Sequence, residues 1–506
     1  MSSRKLDVFL FIAAVAITRF VFRSHYLYDL DSVNFALGMD RFDPRVHQPH
    51  PPGYFLYICL GRLWNVMLHD ANLALVVLSI LSGCGVVVLI YYMALDWFDQ
   101  KAARFAAALF LFSPLAWFHG TVALTYSVEA FSSALLGYLC WRVYIGRNGY
   151  IVPAALTLGL SAGVRPSSLL FLGPLFLFSL SKAKPKWIFL GMLAVILTLI
   201  AWFLPMMSAS GGYRAYFGAL ISLWKAVPSK DTVYNSSPVT SISRGITIIF
   251  IYFLTFGAAS LAPLLHRPHS ASNGDRRKKI FTAVWITPAL CFFTLIFLKF
   301  VNSGYLLLLS PAACIWLGLW ISEWYGDGVQ RKPLKMAVIA FSAAVNVAIF
   351  IASPLYCSYR SVRRFEGELQ AIRIALPQVA PADRTLIVGF DSHFLGYRHA
   401  GYYLPDYLTL ESPEVKLSDG TRIFAMHGRD TTLLAALPSN PYSQFVFFPL
   451  PNEGAAYKAQ LKKVAGQLPA GSLRTVTAGG HDFVIGPISD LSLLFPRTAS
   501  ASAPGR

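Results

Sequence analysis

Charge is scarce in this chain. Asp, Glu, Lys and Arg make up 13% of its 506 residues, where a soluble domain carries about a quarter. Acids are the scarcer sign, with 25 Asp and Glu against 43 Lys and Arg and a formal net charge of +18. Such an excess would suit nucleic acid. Here, however, the basic residues cluster between apolar runs, and no nucleic-acid motif or aromatic-interleaved basic groove accompanies them, so no such partner is expected. Cysteine is sparse as well. Cys59, Cys84, Cys140, Cys291 and Cys314 lie in apolar stretches, where cysteine serves as a small hydrophobe, and Cys357 has no partner in its own segment. No disulfide framework, no CxxC metal motif and no internal repeat is present. The first apolar run, 8–22, ends in the bulky, charged Arg19-Phe20-Val21-Phe22-Arg23 without a small-x-small site, so it is expected to stay as a span.

What the chain has in abundance is apolar sequence, 55% of all residues. Runs of bilayer-spanning length recur as far as about residue 355. They predict an α-helical polytopic membrane protein with about eleven spans, near 6–23, 72–95, 104–119, 128–145, 150–163, 167–181, 187–207, 245–265, 280–299, 303–322 and 335–355. With the N-terminus in the cytoplasm, every inner segment is basic. Examples are Arg4 and Lys5, Lys182 to Lys186, Arg276 to Lys279, and Arg331 with Lys332. The outer link 119–128 has no Lys or Arg, which is the positive-inside pattern. It places 24–71, 208–244, the turn near Asn302 and the C-terminal segment outside, in the periplasm of a Gram-negative source. Residues 53–69 are apolar but interrupted by Arg62, and a span there would invert every later loop. They are expected to form a helix lying at the outer surface.

After residue 355 charges spread evenly and apolar runs shorten to strand length at 385–390, 445–448 and 482–485, behind a helical pattern near 363–376. The division expected is a transmembrane module over 1–355, with 24–71 as its first outer loop, then a small outer α/β domain over 356–490. A disordered tail over 491–506 follows.

The residues able to carry chemistry gather at outer span ends. Asp29 and Asp31 sit in a polar island running from Asp29 to Tyr57. Asp31 or Ser32 would cap a following helix, and one carboxylate would serve as a general base. His47 and His50 lead into Pro51-Pro52-Gly53, a rigid corner that would set His50 and Tyr54 toward a phosphate. Two histidines beside aspartates could also bind zinc, but the spacing is poor and no required metal or other cofactor is expected. Glu129, at the outer start of the fourth span, should face a cavity or a partner, or else favour the helix N-terminus. Arg165 and Lys299 are either snorkelling anchors or cations for a leaving phosphate, with Lys225, Lys230 and Arg244 weaker candidates of the same kind. His393, Arg398 and His399 belong to an aromatic, polar run suited to a sugar, a docking surface or an ordinary core.

Taken together, these features resemble the GT-C integral-membrane glycosyltransferases, within them the protein O-mannosyltransferase and aminoarabinose-transferase-like group. The resemblance covers 1–355 and rests on five elements. They are the acidic pair after the first span, His50-Pro51-Pro52-Gly53-Tyr54, Tyr126-Ser127-Val128-Glu129, Gly163-Val164-Arg165-Pro166-Ser167 and Lys299-Phe300-Val301-Asn302-Ser303-Gly304-Tyr305. It implies inverting transfer of a sugar from a polyprenyl-phosphate donor to a lipid, glycan or protein acceptor at the outer membrane face. The catalytic aspartate would fall on Asp31 or Asp29, with Asp31 preferred because it stands immediately before the surface helix. The second acid would fall on Glu129, and Lys299 would match the contact to the carrier phosphate. Tyr305 follows Lys299 in the last of these motifs. The link 119–128 lacks a second DxD, so the metal-dependent branch fits poorly. A transporter of lipid-linked sugars would instead carry mid-membrane charges and an inverted repeat. A non-catalytic glycolipid-binding protein is the third reading.

Overall fold

The computed structural model describes residues 3–226, 237–261, 276–296, 300–327, 332–412, 423–434, 437, 441–449 and 454–495. The chain packs as two compact units. One comprises Met1–His25, Pro52–Arg214 and Leu223–Val362, the other Tyr26–Pro51, Ala215–Ser222 and Arg363–Arg506.

The first unit is helical. Among the described residues, five helices are long and apolar enough to cross a membrane: Ala71–Trp97, Pro185–Ala209, Arg276–Leu295, Asn302–Gly326 and Lys332–Ala352. The other expected spans fall on shorter, more polar or broken helices, and the count of eleven is not reached by this measure. Ser3–Val21 and Tyr126–Tyr144 run to 19 residues each, Ile151–Val164 to 14 and Ser167–Ser179 to 13. Pro238–Phe256 also forms, and part of the expected 245–265 span lies outside the described residues. A helix is present over Phe55–Leu68, within the 53–69 stretch expected to be helical.

The expected span 104–119 is broken in two, Gln100–Leu111 and Pro114–His119. The cause is local. Pro114 brings no N–H to continue the ladder, and Ser113 Oγ accepts from Ala116 N at 3.1 Å, starting a new helix. A break leaves carbonyls unpaired, which is costly in an apolar surround. Arg19, buried in the Ser3–Val21 helix, donates from Nη2 to the Leu111 carbonyl at 2.7 Å and stacks on Trp117 at 4.7 Å. Elsewhere helices approach through small residues. A Cβ added to Gly318 would stand 2.6 Å from the backbone nitrogen of Ala106, so Ser310–Gly326 can lie directly on Gln100–Leu111.

The second unit is built on a seven-stranded mixed sheet. Its strands are β1 Thr385–Gly389, β2 Leu408–Glu411, β3 Ile423–His427, β4 Asp430–Leu434, β5 Gln444–Phe447, β6 Arg474–Ala478 and β7 His481–Pro487. Their order is β4-β3-β2-β1-β5-β7-β6. The fully buried Thr-Leu-Ile-Val-Gly run forms the central β1, parallel to β2 and β5, with Leu386 opposite Leu408 on one side and Phe445 on the other. The strands expected at 385–390, 445–448 and 482–485 correspond to β1, β5 and β7. The other four were not anticipated; β2, β4 and β6 are short or polar, while β3 carries the apolar run Ile423-Phe424-Ala425-Met426. The helix expected near 363–376 extends over Tyr359–Val379. Ile488–Leu494 is helical with Leu491 and Leu494 buried, and residues 496–506 of the expected tail lie outside the described residues.

Tyr26–Pro51 is stitched into this unit at several points. Leu27 N donates to Tyr403 Oη at 2.7 Å, and Leu30 N donates to the His393 carbonyl at 2.8 Å. Arg398 Nη2 donates to the Val46 carbonyl at 2.7 Å, and Arg41 pairs with Asp430 at 2.6 Å. Tyr28 lies between the rings of Phe365 and Phe394.

Candidate active site

Each unit contains one constellation of the expected residues. In the second unit the helix after the first apolar run spans Leu30–Asp40, two or three residues earlier than expected. Asp29, not Asp31 or Ser32, is therefore its cap, and Asp31 stands inside the first turn. Asp29 Oδ1 accepts from Asp31 N at 2.9 Å, as an N-cap carboxylate does. The Asp29 carboxyl is buried, and burial together with the neighbouring Asp31 charge pushes its pKa up to about 7, against an opposing pull from His393. Asp31 is more open, with 27% of its side chain exposed, and His50 Nδ1 lies 3.3 Å from its Oδ1. The two carboxylates thus differ in kind: a sheltered one that holds the helix end, and an accessible one beside an imidazole.

His47 takes a different place from His50. It adopts a left-handed conformation with φ 59° after the Pro44–Val46 turn, and its ring lies 5.6 Å from that of Phe424. Burial and the Arg398 guanidinium push its pKa down to about 3, so it is neutral at physiological pH. Its ring packs into the corner against Phe424. Arg398 and His399 are buried, and Arg398 is consumed by Tyr397 Oη, Thr431 Oγ1 and the Val46 carbonyl. Of the run singled out in this domain, His393 is the residue that reaches the acidic pair, through its backbone bond to Leu30 and its effect on Asp29.

In the first unit Glu129, Arg165, Tyr305 and Tyr54 come together. Glu129 sits in the first turn of Tyr126–Tyr144, and Arg165 follows Ile151–Val164 in extended backbone, as a residue before Pro166 should. Arg165 Nη1 reaches Glu129 Oε1 at 2.6 Å, and Thr125 Oγ1 donates to the same oxygen at 2.7 Å. Arg165 Nη2 donates to Tyr305 Oη. The guanidinium lies 4.2 Å from the Tyr305 ring, 5.4 Å from Tyr126 and 5.5 Å from Tyr54. Arg165 is accordingly a buried, caged cation and not a snorkelling anchor. Sequence reasoning missed Tyr126 as a wall of this cage, and also His119, whose buried ring meets Tyr126 at 4.8 Å.

Lys299 and Lys230 lie outside the described residues. Arg244 is buried and donates to the Leu295 carbonyl at 3.3 Å, while Lys225 ends the Tyr213–Ala226 helix. Among the described residues no group of three or more His, Cys, Asp or Glu side chains is placed to hold a metal ion. A cavity of about 540 Å³ in the first unit is walled by Phe105, Leu109, Phe112, Trp324 and Val347, with Ser342 and Asn346 as polar lining. No ionisable side chain lines it, so it suits hydrocarbon rather than chemistry.

Residues 45–188 match the family model of the protein O-mannosyl-transferase TMEM260 N-terminal domain. No curated protein matches the chain. Among solved structures it is similar to ArnT from Cupriavidus metallidurans bound to undecaprenyl phosphate, with a TM-score of 0.60 at 12% identity, over 98% of this chain and 99% of that one. The apo state of the same protein gives 0.58 at 12% identity, over 96% and 98%. The archaeal oligosaccharyltransferase AglB from Archaeoglobus fulgidus, in complex with an inhibitory peptide and a dolichol-phosphate, gives 0.47 at 12% identity, over 92% and 83%. The chain is a mainly helical integral membrane protein with a GT-C fold.

Proposed function

We propose that this GT-C chain is a glycosyltransferase that moves a sugar from a polyprenyl-phosphate carrier to an acceptor hydroxyl or amine outside the membrane, with inversion. The observation that carries the reading is the Asp31–His50 approach, an accessible carboxylate with an imidazole nitrogen 3.3 Å away, beside a second, buried carboxylate. A general base must be open to the proton it takes, and Asp31, with 27% of its side chain exposed, meets that need. In the step we assign, the acceptor heteroatom attacks the anomeric carbon from the face opposite the phosphate. Asp31 removes the acceptor proton as the new bond forms. The old carbon–oxygen bond breaks with its electrons going to the phosphate, and polyprenyl phosphate leaves. Asp29 keeps the helix end in place.

Glu129 is assigned to holding Arg165, whose charge, with Tyr305 and Tyr54, addresses the carrier phosphate. Lys299 is kept as a further phosphate contact. Cations aimed at developing negative charge commonly supply the larger share of such catalysis. No metal is assigned to the step. The orientation proposed has the N-terminus in the cytoplasm and the Asp29 region outside, as the basic inner segments suggest. The likeness to ArnT bound to undecaprenyl phosphate supports a carrier of that class.

The test is release of undecaprenyl phosphate from defined undecaprenyl-phosphate sugars by the reconstituted protein. Losing a general base typically costs about 10²–10⁴-fold, so Asp31→Asn should fall by that much, and Glu129→Gln should fall clearly as well. If both variants turn over like wild type, the site assignment is wrong. A wild type that binds the carriers without turnover favours the glycolipid-binding reading.

A further inference from the structure

The face of the Leu30–Asp40 helix that presents Asp31 holds more than the pair with His50. Helical spacing sets Asp31, Asn34, Phe35 and Gly38 on one side, at i, i+3, i+4 and i+7. The turn 48–50 runs along that side. A Cβ on Gly38 would stand 2.7 Å from Pro49 Cδ and 3.2 Å from the Gln48 carbonyl carbon. Further along, the His50 ring lies 6.1 Å from that of Phe35, and its Nδ1 meets Asp31. Gln48 is thereby held at the Gly38 end of this face, one turn from Asn34.

Both amides are buried and incomplete. Gln48 is 1% exposed, and neither its Nε2 nor its Oε1 has a hydrogen-bond partner. Asn34 is 2% exposed, and its Oδ1 has none. Ser32 Oγ, in the first turn beside Asp31, is in the same condition. Buried polar atoms without partners are rare, and water, an ion or a ligand normally accounts for them. A glutamine amide offers two donors and one acceptor oxygen, an amide oxygen and a hydroxyl offer more, and the set matches the adjacent hydroxyls of a sugar ring. A cation fits poorly, because Gln48 presents N–H groups as well as oxygen.

We propose that Gln48, together with Asn34, reads the hydroxyls of the sugar on which Asp31 acts. The inference rests on the glycosyl-transfer reading above and adds to it the residues that choose the sugar. Because both amides are covered, the turn 48–50 must lift from the Gly38 face when sugar enters. The contacts at Gly38 and the Asp31–His50 pair then become part of how the site closes.

The experiment uses the full chain in lipid nanodiscs with four probes: undecaprenyl phosphate alone, and the same carrier bearing mannose, galactose or 4-amino-4-deoxyarabinose. Affinities are compared for wild type, Gln48→Met, which keeps the shape and removes the hydrogen bonds, and Gln48→Glu, which keeps an acceptor. Wild type should prefer a sugar-bearing carrier. Gln48→Met should lose about tenfold or more of that preference, the scale expected when a site built to hydrogen-bond loses its partner, with affinity for the bare carrier unchanged. Gln48→Glu should fall between them. If Gln48→Met does not fold, Gln48→Glu and Asn34→Asp carry the same comparison. A Gln48→Met protein that keeps wild-type preference overturns the inference alone, and buried water then accounts for the amides. A wild type that favours none of the sugar-bearing carriers over the bare one overturns both the inference and the reading beneath it.

Discussion

Arg165 and Glu129 form the ion pair whose loss is easiest to forecast. Both are buried, so removing one partner leaves an uncompensated charge, which typically costs about 3–5 kcal/mol. Arg165→Met should therefore lower the unfolding temperature in detergent sharply. The double variant Arg165→Met/Glu129→Gln should recover part of the loss, since the stranded charge is gone. A double variant no more stable than the single one would show that the pair is not held as described.

Asp29 makes a forecast in pH. Its pKa is raised from about 3.8 unfolded to about 7 folded, so the folded chain binds the proton more tightly. The stability this gives is complete below about pH 4 and is lost as pH rises through about 7. Asp29→Asn keeps an N-cap and removes the titration. Wild type should lose stability relative to Asp29→Asn between pH 4.5 and 8, by up to about 4 kcal/mol at roughly 1.4 kcal/mol per unit. Parallel curves of unfolding temperature for the two proteins would contradict the raised pKa. Asp29, Asp31 and Glu129 were all legible as candidates because an acid stands out in so apolar a chain. The assignment of Asp29 as cap and Asp31 as the open carboxylate was not, since it turns on where the helix begins, to within two or three residues.

At the level of elements, the long apolar helices announced themselves, while the breaks and close approaches did not. Ser113-Pro114 was visible in sequence but lay inside an otherwise continuous apolar pattern, and the partner that tolerates the break is Arg19, 92 positions from the carbonyl it caps. Gly38 is a parallel case. Nothing local requires glycine within Leu30–Asp40, yet the Gln48-Pro49 backbone occupies the space its side chain would fill. Gly38→Ala should cost about 1–3 kcal/mol through overpacking and lower sugar transfer further than stability alone explains. Gly149→Ala, where an added Cβ meets nothing within 4 Å, should stay within about 0.5 kcal/mol and serves as the control. Equal behaviour of the two in unfolding and transfer assays would remove Gly38 from the site.

Across the whole molecule, the grouping of Tyr26–Pro51 with Arg363–Arg506 carries a consequence for truncation. Ending the chain after Val362 removes Tyr403, His393, Arg398 and Asp430, the partners of Leu27, Leu30, Val46 and Arg41. Residues 26–51 should then lose their order although every one of them remains. Trypsin cleavage after Arg41 or Arg45 should rise about tenfold or more, as expected when a segment drops to the low-stability end, and transfer should vanish. A truncated protein that stays protease-resistant over this stretch and active would refute that dependence.

Sequence alone was enough to establish the membrane-spanning helical class, the small α/β region after residue 355 and the acids worth suspecting, because hydropathy, run length and the rarity of charge are local properties. Tertiary structure alone decided which acid is sheltered and which is open, that Arg165 is caged against Glu129, that His47 packs while His50 pairs, and that the first loop is completed by residues from the far end of the chain. Those outcomes depend on contacts between residues tens to hundreds of positions apart, and no periodicity or composition encodes which partner will fill a given space.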